Sequence, residues 1–190
     1  MDMKARVTIA AVGLAMAATV ALAQSHHGAR GGDTAQPYAG QHVRDIASLS
    51  AEEQQGFRDG RGMGLARPAE FNGYPGPMHV LAHAKALGLT DEQQQRVQAA
   101  FDRMKADATE LGAQYLVAEK ALDAAFKSGG ADAATVAALV ADANRLLGAV
   151  RLAHLKAHIE ITPLLTPEQR ARYAELRGYA GGPAHGMHKH

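Results

Sequence analysis

The apolar positions of this chain fall into two long runs with alternating spacings of four and three. The first run takes in Val97, Phe101, Met104, Ala108, Leu111, Tyr115, Ala118, Leu122 and Ala125. The second takes in Val136, Val140, Ala143, Leu147, Val150, His154, Ala157, Ile161 and Leu164. That period puts one apolar stripe on each of two long helices. Between them, "KSGGAD" at 127–132 offers glycines for a turn and Asp132 as an N-cap. The pattern therefore predicts an all-α chain built on a long antiparallel helical hairpin. Seams rich in alanine allow close approach but bury little area, so a self-associating pair of hairpins would add stability. Pro163 ends or kinks the second long helix.

Three helix starts share one phrase: "LSAEE" at 49–53, "LTDEQ" at 89–93 and "LTPEQ" at 165–169. Each is Leu, then a hydroxyl residue, then Glu or Gln three residues on. This is the capping box, in which the hydroxyl accepts from the N3 amide and the N3 side chain reaches back to the N-cap amide. The flanking boxes of the hairpin are thus Leu89, Thr90, Gln93 and Leu165, Thr166, Gln169. Shorter helices are predicted at 78–87, "MHVLAHAKAL", and 167–179, "PEQRARYAELRGY". Ahead of them come one short helix after Ser50, another near 64–70 and a Gly/Pro connector at 73–77.

The beginning of the chain reads as an address. Lys4 and Arg6 precede "VTIAAVGLAMAATVALA", and Ala21-Leu22-Ala23 gives a small-x-small cleavage pattern. Residues 1–23 are therefore expected to be a secretory signal peptide. An uncleaved anchor is the alternative. No later stretch is expected to cross a membrane. Residues 24–37 read as a disordered tail, 38–76 as an N-terminal extension with short helices, 77–179 as the hairpin domain and 180–190 as a His-rich flexible tail.

Charge and chemistry narrow the function. Removing the leader takes two of the 20 basic and one of the 19 acidic residues, so 18 of each remain. That balance argues against nucleic acid as a partner. The absence of cysteine excludes disulfides and thiolate sites. Ser50 and Thr90 are explained as caps, and no catalytic triad order, phosphate loop or HExxH occurs. No catalytic residues are assigned, and the chain is not expected to be an enzyme.

Histidine carries the remaining signal. His79 and His83 stand i,i+4 in "HVLAH", and His154 and His158 do so in "HLKAH". Imidazoles one helical turn apart can share a Zn, Ni or Co ion. If the hairpin turns near 129–130, His154 lies level with about residue 105 and His158 with about 101. A short helix folding back near 88–90 brings His79 level with about 99, within ~3 Å of His158 along the axis. Asp102 and Met104 share that level and could complete a ligand set. Ordinary buried histidines and a pH-responsive interface are the competing readings. The tails add two further candidates. Cleavage after Ala23 would expose Gln24-Ser25-His26, a square-planar Cu(II) or Ni(II) binder. His185, His188 and His190 in "HGMHKH" suit loose metal capture or simple solubility. No cofactor is required; Zn, Ni, Co and Cu are the candidate ions.

Two L-T-x-E-Q phrases bracketing a helical hairpin behind a leader resemble the Spy/CpxP family of periplasmic stress proteins, with the metal-responsive ZraP and CnrX proteins as relatives. The resemblance covers about 77–179, and "GRGMGLARPAEFNGYPGPMHVL" looks like an extension carried by one branch. It implies a cradle-shaped dimer acting as an ATP-independent chaperone for unfolded or envelope proteins, or as an adaptor restraining a membrane-bound stress sensor. The alternative it implies is a heavy-metal sensor or resistance protein. CnrX-like sensors use an H-x-x-x-H helix, matched by His79 and His83, and a Glu on the first long helix, where this chain offers only Asp102. Their His-x-x-x-Met pair has His154 and His158 at its spacing, with His in place of Met.

Overall fold

The structure is a computed structural model in which residues 37–180 are described; the regular structure among them is helical, with no strand. Seven α-helices follow in order: α1 (Ala51–Arg58), α2 (Arg67–Glu70), α3 (Pro77–Ala82), α4 (Ala84–Leu87), α5 (Asp91–Lys127), α6 (Ala133–Ile161) and α7 (Pro167–Leu176). Short 3-10 turns occupy Gln41–Val43 and Thr162–Leu164. The leader, His26, His185, His188 and His190 lie outside the described residues.

The long hairpin forms as its period dictates. Gly129 takes the left-handed conformation (φ 73°) after α5. Asp132 then caps α6, its Oδ1 accepting from the Ala134 and Thr135 amides at 2.9 Å each. Val97, Met104, Ala108, Tyr115 and Ala118 of α5 are buried, as are Ala143, Val150, His154, Ala157 and Ile161 of α6. Toward the turn the seam opens, leaving Leu122, Ala125 and Val136 half-buried and Val140 exposed. Pro163 falls in the 3-10 turn that stops α6.

All three capping boxes are closed, at Ser50, Thr90 and Thr166. The latter two also lock onto each other. Gln93 Nε2 donates to Gln169 Oε1 (2.9 Å) and to the Leu164 carbonyl (2.8 Å). Gln169 Nε2 returns a bond to Gln93 Oε1 (3.0 Å) and reaches the Gly88 carbonyl (3.4 Å). Leu89 and Leu165, the leading residues of these boxes, are buried with Val80, Leu87, Val97, Ile161 and Tyr173 in one core cluster.

The extension is part of the core. Ile46, Leu49 and Phe57 pack with Tyr115, Leu116, Leu146 and Val150 in a second cluster. Phe57 meets Tyr115 edge-on, with ring centroids 4.7 Å apart. Gly112 permits this approach, because a Cβ there would stand 2.4 Å from the Phe57 carbonyl oxygen.

Two expectations need correction. The helix predicted at 78–87 is broken at His83 (φ −107°, ψ 15°), whose amide is shared between the His79 and Val80 carbonyls. The backbone tightens there from the α toward the 3-10 pattern, so α3 and α4 are separate short helices. A stretch beyond the leader also has the length and composition to cross a membrane. Ala133–Leu164 carries few charges among alanines and aliphatics, and only 17% of its most apolar window is buried.

Candidate metal centre

The extension, the open end of the hairpin and α7 meet around a cleft of about 800 Å³, whose lining includes Met63, His79, Met104, His154, His158 and Arg177. At its base lies Glu70, the last residue of α2, its side chain only 10% exposed. Glu70 Oε1 accepts from Tyr173 Oη (2.6 Å), Arg177 Nε (3.1 Å) and Tyr179 Oη (3.2 Å). The Gly76 amide donates to Tyr173 Oη in turn, at 3.2 Å. Burial, reinforced by the bond to Glu70, holds the Tyr173 hydroxyl above its ordinary pKa. Arg177 also lies over the Tyr179 ring, and Phe71 meets that ring edge-on. One carboxylate from the extension thus grips the C-terminal helix.

The other oxygen of that carboxylate is differently placed. Glu70 Oε2 is buried and has no hydrogen-bond partner. It stands 3.9 Å from His158 Nδ1. His158 Nδ1 lies 2.8 Å from the Tyr74 carbonyl oxygen. A carbonyl only accepts, so Nδ1 is the donor and Nε2 is left for another partner. A ring oriented through one nitrogen in this way presents the other as a metal ligand. Gly76 makes room for the arrangement. A side chain there would come within 3.0 Å of His158 Cε1 and 3.3 Å of Glu70 Oε2.

His154 is buried one turn earlier on α6, and its Nε2 has no partner. Burial lowers its pKa, assisted by His158 and Lys105. His79 is half-buried on α3. Burial lowers its pKa as well, Arg177, His83 and His158 act in the same direction, and Glu70 opposes them.

The structure therefore joins part of the expected set. His79, His154, His158 and Met104 line the cleft; His83 does not. His158, which could have stood in solvent beside the seam, is buried. Asp102 is not brought to the cluster: it is exposed and accepts from Gln98 Nε2 at 2.8 Å. Its place in the α5 repeat turns it outward, and the carboxylate of the site comes from Glu70 instead. Glu70, Tyr74, Tyr173, Arg177 and Tyr179 went unread in the sequence. The available signal was the i,i+4 pair Tyr173 and Arg177, one face of α7 offering donors to an anion from elsewhere.

The residues fit a divalent transition metal in kind, since imidazole and carboxylate suit Zn, Ni and Co. Glu70 Oε2 and His154 Nε2 are buried and unpartnered, and both belong to groups of that chemistry. Among the described residues, however, no three His, Asp or Glu side chains stand together as a ready ligand set.

The family profile for heavy-metal resistance matches residues 62–172, more than half of the chain. The chain belongs to the heavy-metal resistance family. This is the family of Spy/CpxP/CnrX/ZraP-like periplasmic proteins, resistance and adaptor proteins without catalytic activity as a class. The match to the heavy-metal resistance family begins within "GRGMG" and so includes α2 and Glu70. Neither a curated protein nor a solved structure matches the chain.

Proposed function

We propose that this heavy-metal resistance protein works in the periplasm by binding a divalent transition metal, from among Zn, Ni, Co and Cu, in the cleft between its extension and its hairpin. His158 and His79 are the ligands the geometry favours, with His154 as a neighbour. The observation that carries the reading is His158, held through Nδ1 by the Tyr74 carbonyl with Nε2 left free. The bound ion would supply a signal or a buffered store rather than a reaction. The test is equilibrium titration of the leader-free chain with each ion, with His79→Ala and His158→Ala alongside. One ion per chain, weakened by each substitution, supports the site. Binding that disappears only when the tail histidines are replaced assigns the metal to the tails and removes it from the cleft.

A second reading rests on the outer face of the hairpin. Leu152 and Ile159, seven residues apart on α6, are 50% and 60% exposed, and Val117 and Phe126 of α5 are exposed too. Exposed apolar side chains, with Leu152 and Ile159 sharing one face of α6, suit an ATP-independent chaperone or adaptor, whose partner is an unfolded envelope protein or a membrane-bound stress sensor. Suppression of a model client's aggregation at low molar ratio supports this reading, and its absence counts against it.

A further inference from the structure

The divided carboxylate of Glu70 points beyond ion binding to what binding changes. Its Oε1 is the single acceptor shared by Tyr173, Arg177 and Tyr179, all in or just after α7. Its Oε2, buried and unpartnered, faces His158. A buried oxygen without a partner is costly, and here it stands beside the best-oriented imidazole in the cleft.

We infer that Glu70 is a carboxylate ligand of the cleft and that its engagement there loosens the C-terminal end of α7. This rests on the proposed ion binding and adds a residue and a consequence to it. In the arrangement described, Glu70 Oε1 is engaged by Arg177, and among the described residues no ready three-donor set is present. Recruiting Glu70 through Oε2 draws its charge from the Arg177 guanidinium, and the bonds that Arg177, Tyr173 and Tyr179 make to Oε1 weaken. Left uncompensated, Arg177 would sit close to His79, so the clamp and a filled cleft oppose one another. The amides of Arg177, Gly178 and Tyr179 report on the clamp. They donate to the Tyr173, Glu175 and Ala174 carbonyls at the end of α7. The same linkage runs in reverse: whatever holds α7 against Glu70 weakens ion binding by the same factor that the ion weakens the clamp.

Hydrogen exchange read by mass spectrometry on the leader-free chain, with and without saturating Zn(II) or Ni(II), tests this. With the ion, exchange at 177–179 should quicken by about tenfold or more, while that of α5 near Tyr115 stays unchanged. Glu70→Gln keeps an acceptor for the tyrosines but lacks the charge. It should bind the ion about 10- to 100-fold more weakly and show no ion-dependent change at 177–179. Arg177→Met should exchange quickly there without any ion and bind the ion more tightly than the parent. If the parent binds the ion and 177–179 does not respond, or Glu70→Gln binds as tightly as the parent, this inference fails while ion binding stands. If the parent binds none of Zn, Ni, Co and Cu, both fail together.

Discussion

Gln93 and Gln169, far apart in sequence, exchange a pair of amide hydrogen bonds of 2.9 and 3.0 Å at the open end of the hairpin. Each also closes its own helix cap, its Oε1 accepting from the Thr90 or Thr166 amide. Both N–H groups and both acceptor positions of each amide are therefore used. At Ser50, by contrast, the corresponding residue is Glu53, exposed and bonded to the Ser50 amide and hydroxyl. Gln93→Glu keeps the cap but sets a carboxylate against Gln169 Oε1 and the Leu164 carbonyl. It should cost about 1–3 kcal/mol. Glu53→Gln should stay within about 1 kcal/mol, the scale of the helix-dipole contribution. Urea denaturation of the two variants checks the contrast.

The extension and the hairpin should unfold as one unit. Phe57→Ala removes a ring packed edge-on against Tyr115 and should cost about 3–5 kcal/mol. Gly112→Ala should also destabilise, because its methyl would meet the backbone of Phe57 rather than a side chain able to rotate away. A single cooperative transition, shifted down in both variants, is the expected calorimetric result. A hairpin that melts unchanged would oppose this.

Stability of the ion-free chain should depend on pH through His154. Its pKa is depressed below the ordinary 6.5 by burial first. Below that value the unfolded chain takes up a proton that the folded one resists. The contribution is thus present in full above about pH 6.5 and is lost as pH falls toward the depressed folded value. His79 acts in the same sense. His154→Leu should flatten the acid side of the stability profile, as denaturant midpoints from pH 7.5 down to pH 5 would reveal.

Leu152 and Ile159 should govern association. If α6 covers its apolar face with a second copy, the parent chain sediments as a dimer and Leu152→Glu with Ile159→Glu sediments as a monomer. The paired substitution should leave helicity intact, since both side chains are exposed. A monomeric parent would leave this face to other partners.

Local rules made much of the fold legible. The four-three spacing, the Gly turn and the three boxes each follow from neighbours within a few residues, and all are found as read. His79 and His158, which helical rise alone put at one level, line the same cleft. Lateral placement did not follow. Asp102 and His158 differ in which way the helix turns them, and only packing against the extension decides that for His158. Glu70 was invisible for the same reason. Its role depends on α2 meeting α7 across the fold, and no periodicity encodes that contact. His83 shows a limit of another kind, where one residue's backbone angles separated a pair that spacing had joined.

The most direct measurement is the stoichiometry and affinity of Zn, Ni, Co and Cu for the leader-free chain in which His26, His185, His188 and His190 are replaced by alanine, compared with the same chain carrying His158→Ala. The account predicts one ion per chain in the first and at least about tenfold weaker binding in the second, as expected when a ligand or its supporting contact is removed. Equal binding by the two proteins, or none by the first, would contradict it.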